Sequence, residues 1–523
     1  MYKHLPRVLS GFYVFLAVMI ASLMAYVGYH YERFFSDPVR GTAIMAALAG
    51  CLVFSLDMLR ANPKARGLAA LYLCTVAFGL WGSEMFLTLR PELSGLFGTK
   101  EKIIKDLNQK AEIARKLKIE FDPRTPAQVA MDLRSEGQDA WLLVAFKEKM
   151  YWTEGGELRS RFAHEGRELF LPSGIGDVVT VHCNEGGPYI VLKTDRYGFN
   201  NPYAVWSNDS IQIVGVGGSD LMGACVSNEE EIFGHIRKRY PRSLNLAYGG
   251  IGPLSELASL IEYGSAVEPD VVIWFFSDAN DFFDLAEEKL SPLAMRYLEP
   301  GFKQGLQDIQ PRIDAMLRGY ADDRIRDSVR GLNEVLKPRI FQQRVADFLL
   351  ARHFRHLIGL TASYSEELPE NAPENYDKQL VKFLSLDAKQ ADYALFGAII
   401  KRAKNAVESW GGRFVFVYLP YLSRYCSDVK GVGNLFDIDY CKRADEEEIG
   451  NLEEIRKQVI KIVADEGIPV VDVTETFNGL PNRAMLFPAL GNHYSSKGYA
   501  LAAQTVLTKM NNLGYEADNG STK

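Results

Sequence analysis

IQIVGVGGSDLMGACV, residues 211–226, is the stretch on which the choice of fold rests. Residues 211–216 form an apolar run that closes on Gly217, Gly218 and Ser219. Such a run reads as a buried strand turning tightly into a helix, the place where α/β hydrolytic enzymes hold a nucleophile. Taken alone, Ser219 reads first as a helix N-cap, because a serine hydroxyl satisfies free backbone N–H groups there.

Alternation continues downstream. Residues 229–240 and 253–263 carry helical patterns, while 244–247, 271–276, 413–420 (RFVFVYLP) and 468–473 (IPVVDV) read as strands, and a helix from Ser496 closes the chain. Strands alternating with helices predict an α/β fold, a parallel sheet with helices on both faces. Residues 290–390 are charged and helical, an insertion or lid. Upstream, 100–120 reads as a charged helix and 141–202, rich in glycine and β-formers, as a small strand-containing subdomain. The expected division is 1–95, 96–204 and 205–523.

The first ninety residues differ from the rest. Segments 8–29, 41–59 and 67–89 are almost wholly apolar, with Asp57 and Glu84 as the only acids. Each approaches the roughly 20 residues needed to cross a bilayer, so three transmembrane helices are expected. A cleavable signal is disfavoured because the first segment lacks a small-x-small site and two more spans follow. Lys3, Arg7, Arg60, Lys64 and Arg66 flank the spans on one side, which by the positive-inside rule is cytoplasmic. Three crossings place the main domain outside the cytoplasm; in a Gram-negative cell this is an inner-membrane protein with a periplasmic domain. Glu84 reads as a helix–helix contact, since intramembrane carboxylates face partners or bundle interiors.

The formal net charge of −7 argues against nucleic-acid binding, which needs clustered Lys and Arg. Of six cysteines, Cys426 and Cys441 flank the glycine-bearing loop CSDVKGVGNLFDIDYC and form the expected disulfide in an oxidising compartment. No CxxC or HxxxH pattern indicates a metal. His353 and His356, in ARHFRH, read as a solvated basic face. Neither cofactor nor metal is expected.

In an open parallel sheet, chemistry gathers beyond the carboxyl ends of the strands. Those ends carry Ser219, then Gly249, Gly250 and Gly252 in NLAYGGIGPL, then Asn280 and Asp281 in FFSDANDFFDL, and finally His493 in LFPALGNHYSSKGY. An imidazole can take the proton of a serine hydroxyl. The Ser219 amide, the Gly250 amide and the Asn280 side chain could then bind an oxyanion. Each residue alone has a plainer reading, as cap, turn or surface residue; their joint occurrence at successive strand ends favours chemistry.

The order of these residues resembles the SGNH (GDSL-type) hydrolase family, in particular its bacterial membrane-anchored members. The likeness is carried by DRYGFNNP, the GACV after the serine, the NL…GGIGPL turn, PDVVIWFF…ND, FVYLP and NHYSSKGY, over about residues 121–507. It implies a three-layer αβα fold and a site of Ser219, Gly250, Asn280 and His493. It also implies cleavage or transfer of acyl esters, often O-acetyl groups on sugars, lipids or envelope glycans.

Departures accompany the matches. GDS is here Gly217-Gly218-Ser219, with Asp220 after the serine; Ala247 and Asp278 replace usual glycines. The acid usual three residues before the histidine is Leu490, and Gly491 fills the position two before it. Asp281, Asp284, Asp472 or a backbone carbonyl would then have to orient His493. Asp220 is harmless if it faces solvent and repels a tetrahedral oxyanion if it points inward. Two readings result: a membrane-anchored extracytoplasmic serine esterase or O-acyltransferase acting on envelope glycans or exopolysaccharide, or a catalytically inactive protein of this fold that binds glycan or serves as scaffold in a membrane complex. The bilayer, acylated glycan and other membrane subunits are the expected partners.

Overall fold

The structure is a computed structural model. It describes residues 5–29, 38–89, 99–153, 155–208, 210–278, 280–336, 391–429 and 446–515. These fall into two compact units: among the described residues the first holds those up to Ile103 together with 335–336, and the second holds the rest.

In the first unit, helix α1 (Leu5–Tyr29) packs against α2 (Pro38–Met58) and α3 (Pro63–Leu89). Arg66 joins them: its guanidinium donates to the carbonyls of Leu59 and Ala61, each at 2.8 Å, and to Ser10 Oγ of α1 at 2.7 Å. These carbonyls belong to the turn that follows α2, which the guanidinium thereby holds to α1. Glu84 is buried, 2% exposed, while Val8, Phe15, Leu71, Tyr72 and Phe78 remain exposed. Two helices are long and apolar enough to cross a membrane, over Pro6–Ala25 and Pro63–Met85. In α2 the apolar stretch among the described residues is Met45–Met58, shorter than these two, so two of the three expected spans have a helix of spanning length there.

The second unit begins in α4 (Thr99–Leu117), followed by α5 (Pro126–Ser135). A three-stranded sheet comes next, in which β1 (Ala140–Leu142) pairs in parallel with β2 (Val179–Val181), and β2 pairs antiparallel with β3 (Val191–Lys193). This is the expected strand-containing segment. Most of its buried residues between Val144 and Val205, Leu192 of β3 among them, share one continuous core with the main sheet, while Leu142 of β1 and Val181 of β2 pack with α5.

The main sheet contains β4 (Ile213–Val216), β5 (Ser243–Asn245), β6 (Val271–Ser277), β7 (Arg413–Leu419) and β8 (Val470–Asp472), all parallel, in the order β5-β4-β6-β7-β8. Every residue of β6 is buried, as a central parallel strand requires. The connecting helices are α6 (Ser219–Met222), α7 (Ile232–Arg237), α8 (Pro253–Ser259), α9 (Asp281–Glu288), α10 (Gln310–Leu336), α11 (Tyr393–Ser409), α12 (Glu446–Asp465), α13 (Val473–Asn478) and α14 (Ser496–Asn512). α7 and α13 pack on α14; α9 and α11 pack on α8, and α12 packs on α11. Both groups reach β7.

Strand order reverses between β4 and β6: the chain steps outward from β4 to β5, then returns past β4 to β6. Ligand sites in open α/β sheets lie at such a switch point. Val216, the end of β4, sits opposite Trp274, so β6 runs three residues further and flanks the turn that carries Ser219. Of the expected insertion, α10 and the short helices before it are described; 337–390, with His353 and His356, lie outside the described residues.

Candidate active site

Ser219 opens α6 directly after the Gly217-Gly218 turn. The DRYGFNNP segment holds this turn in place. Asp195 accepts the N–H groups of Tyr197 and Phe199 and the side chains of Asn201 and Trp206, which folds the segment into a compact loop. From that loop Asn200 donates to Met222 O at 2.8 Å, while Asn201 bonds the backbone of Asn245, whose own side chain donates to Leu221 O at 2.7 Å. The motif thus fixes α6 from below. Buried side-chain networks of this kind select one backbone arrangement.

His493 lies on the loop before α14. Tyr494 OH donates to Pro420 O at 2.6 Å and the Asn492 amide to Tyr421 OH at 2.7 Å, tying the loop to the end of β7. His493 Nε2 is 3.1 Å from Ser219 Oγ. Its Nδ1 is 2.8 Å from Glu185 Oε1. Glu185 Oε2 in turn accepts the N–H groups of Asn492 at 2.9 Å and His493 at 3.0 Å. A serine, a histidine and a carboxylate therefore form one hydrogen-bonded chain. In this arrangement the neutral imidazole carries its proton on Nδ1 and offers Nε2 to the hydroxyl.

None of Asp281, Asp284 and Asp472 takes the orienting position. Asp281 accepts Ser277 N at 2.9 Å, Asp284 accepts the Asn280 amide at 2.6 Å, and Asp472 pairs with Arg456 and caps α13 through Thr474 N. The carboxylate comes instead from the β2–β3 loop, in HCNEGG, a segment read from sequence only as part of a strand-rich region.

Charge at the site reflects burial and pairing. Burial pushes the Glu185 carboxyl up, but the His493 charge and hydrogen bonds outweigh it and hold the group below the ordinary range. Burial likewise disfavours charged His493, and the Glu185 charge and hydrogen bond overcome that and raise its pKa to about 9. His182, close by, is pushed down to about 4, first by burial and then by the His493 charge, and stays neutral.

Asp220 does not face solvent. It is buried, with Oδ2 accepting Ser277 Oγ at 2.7 Å, and burial raises its pKa while His493 partly offsets this. Asp278 is engaged away from the triad, bonding Tyr418, Tyr421 N and Arg424. Gly250 holds φ +70° on the loop after β5, and Asn280 precedes α9 at the end of β6. Ser219, Gly250 and His493 are each partly exposed, although the strands that lead to Ser219 and Gly250 are buried.

A disulfide joins Cys183 to Cys225, with Cα atoms 5.2 Å apart. The expected Cys426–Cys441 pair depends on Cys441, which lies outside the described residues. Two side-chain groups among the described residues have ligand-like spacing, His182–Cys183–Cys225 and Glu185–Cys225–His493. Both rely on disulfide sulfur, whereas the metal ligand is the thiolate.

No family model and no curated protein matches the sequence. Among solved structures five chains match. One is a lipase/acylhydrolase from Enterococcus faecalis, 12% identical, with a TM-score of 0.28, covering 58% of this chain and 96% of that one. A likeness at that level carries no argument about activity, which rests on the residues themselves.

Proposed function

We propose that the protein is a membrane-anchored serine esterase or O-acyltransferase of the SGNH type, with a three-layer αβα catalytic domain, acting on acyl esters of envelope glycans or exopolysaccharide. The observation that carries this reading is the continuous Glu185–His493–Ser219 hydrogen-bond chain at the strand-order switch point. A buried carboxylate placed against an imidazole that meets a half-exposed serine is the arrangement acyl transfer needs. The reading of an inactive binding or scaffold protein rests on the number of spans, on Asp57 and Glu84 and on several altered site residues; one of those alterations, the missing acid, has a counterpart in Glu185.

Ser219 Oγ attacks the ester carbonyl carbon as His493 Nε2 takes its proton. Glu185 keeps the ring oriented and stabilises the imidazolium. The tetrahedral oxyanion is met by the N–H groups of Ser219 and Gly250 and by the Asn280 amide, donors whose individual loss costs about 10²- to 10³-fold in rate. An amide nitrogen has two hydrogens. One of those on Asn280 is committed to Asp284, which leaves the other for the oxyanion. His493 then protonates the departing alkoxide, and water or an acceptor hydroxyl releases the acyl group by the reverse steps.

Residues 1–95 serve as the anchor in this reading, with the catalytic domain on the periplasmic face of a bacterial inner membrane. The Cys183–Cys225 disulfide supports that side, since such bonds persist in oxidising compartments. Three crossings are required, with α2 as the second. The test is labelling of the detergent-purified full chain by a fluorophosphonate. Labelling of wild type, but of neither Ser219→Ala nor His493→Ala, is expected. Equal labelling of all three, or of none, would refute the assignment.

A further inference from the structure

The Cys183–Cys225 disulfide joins the two loops that carry opposite ends of the triad. Cys183 lies two residues before Glu185, and Cys225 six residues after Ser219. Cys225 Sγ is 4.0 Å from His493 Nδ1, so the bridge lies against the imidazole itself. Cys225 holds a left-handed backbone, φ +65°, which is uncommon for a residue with a side chain. Its N–H donates to His182 Nδ1 at 3.3 Å, which adds a second link between the same two loops.

A force opposes this arrangement. The Glu185 carboxylate is buried, and a carboxylate regains hydration when its loop swings into water. Two further tethers of the loop run elsewhere: Asn184 Nδ2 donates to Asp122 O at 3.0 Å, and Gly187 O accepts Asp122 N at 3.1 Å. Both hold the loop to the segment after α4 and leave its distance from Ser219 open. Cys183 is half-exposed and can meet a reductant.

Resting on the serine-hydrolase reading, we propose that Cys183 and Cys225 are positioning residues: their disulfide holds Glu185 on His493, so that the triad is complete only in the oxidised chain. A phosphine reductant with one water breaks the S–S bond, takes the oxygen as phosphine oxide and leaves two thiols. With the covalent tie gone, only the Cys225–His182 hydrogen bond and the bonds that Glu185 Oε2 accepts from Asn492 and His493 oppose hydration of the carboxylate; Glu185 withdraws, and His493 loses the charge that favours its protonated form. The remaining groups acting on the ring are Asp220 and Lys110, with neutral His182 beside it.

The test uses the full chain in detergent with histidines labelled at Cε1, following the His493 resonance against pH before and after reduction. Oxidised protein is expected to titrate near 9, and reduced protein well below that. Reoxidation restores the first value. In Glu185→Gln the titration starts low and reduction adds nothing, because the disulfide acts through the carboxylate. The Cys183→Ser/Cys225→Ser double variant should resemble the reduced chain, and a thermal melt verifies that it is folded. Identical His493 titration in oxidised and reduced wild type, or an equal drop on reduction in Glu185→Gln, overturns the proposal. The titration needs no substrate. An oxidised protein that titrates as expected yet fails to bind a fluorophosphonate at Ser219 would sink the hydrolase reading separately.

Discussion

Glu185 occupies the space that a side chain at Gly491 would need. A Cβ built on Gly491 overlaps Cγ, Cδ and Oε2 of Glu185, the atoms of the carboxylate that bonds His493. The backbone at Gly491 does not adopt positive φ, so the requirement is for room and not for conformational freedom. The absence of an acid just before His493 and the presence of one 308 residues upstream are therefore the same fact.

Gly491→Ala should push Glu185 off the imidazole while leaving the core intact. Its kcat/KM on a chromogenic acetyl ester should fall at least about 10²-fold, toward the roughly 10⁴-fold loss seen when a triad carboxylate becomes an amide. Glu185→Gln should fall by a similar factor, and the double variant by little more than either, because both changes remove one interaction. Steady-state rates of the three variants against wild type decide this; full activity in Gly491→Ala would mean that Glu185 is not needed on His493.

The pH profile should carry the same signature. His493 must be neutral to accept the Ser219 proton, and Glu185 raises its pKa to about 9. The kcat/KM of wild type should therefore climb from pH 7 toward 9. Glu185→Gln removes the charge that favours imidazolium, so its acid limb should move to lower pH while its plateau falls. A limb that stays in place after the substitution would detach Glu185 from the titration.

Much of this site is legible in the sequence because local pattern encodes it. Ser219 comes after an apolar strand through glycines, and His493 precedes a terminal helix. The expected strands at 271–276 and 413–420 match Val271–Ser277 and Arg413–Leu419 within a residue at each end. Periodicity says nothing, however, about which distant loops meet. Glu185 sits between β2 and β3, and only the tertiary packing of that small sheet against the loop before α14 brings it to His493. The disulfide was hidden for the same reason: 42 residues and two unrelated loops separate its cysteines. Gly218 in place of the expected aspartate also has a tertiary cause. A Cβ there would lie 3.8 Å from Asp281 Oδ1 and 3.9 Å from Glu256 Oε1, so an aspartate would add a third carboxyl to two buried ones.

Glu256 should make stability fall as pH rises. It is fully buried, and burial, with Asp281 and Glu288 adding to it, raises its pKa well above 4.5. A carboxyl whose folded pKa exceeds its unfolded one contributes stability that is complete below about 4.5 and is lost as pH climbs toward the folded value. Glu256→Gln keeps the shape of the neutral acid and cannot ionise. Its melting temperature should lie within a few degrees of wild type at pH 6 and above it at pH 9. Parallel melting curves across that range would show that Glu256 does not titrate on unfolding.

Membrane topology turns on α2. If only Pro6–Ala25 and Pro63–Met85 cross, the chain returns to the side of its N-terminus; a third crossing delivers the second unit to the other side. The apolar stretch of α2 among the described residues, Met45–Met58, is shorter than a span, yet the whole helix has 21 residues and at 1.5 Å each reaches about 31 Å, the thickness of the hydrocarbon layer. A crossing then requires the turn before Met45 to enter the bilayer as well. The disulfide beside the triad argues for that outcome, because a reducing cytoplasm would keep Cys183 and Cys225 as thiols. The measurement is a single exposed cysteine, Lys509→Cys, in a chain whose free Cys51 and Cys74 are serine. Treated with a membrane-impermeant maleimide, intact Gram-negative cells should label the protein at Lys509→Cys. Labelling only after the inner membrane is breached would put the domain in the cytoplasm, reduce the crossings to two and remove envelope glycans from reach.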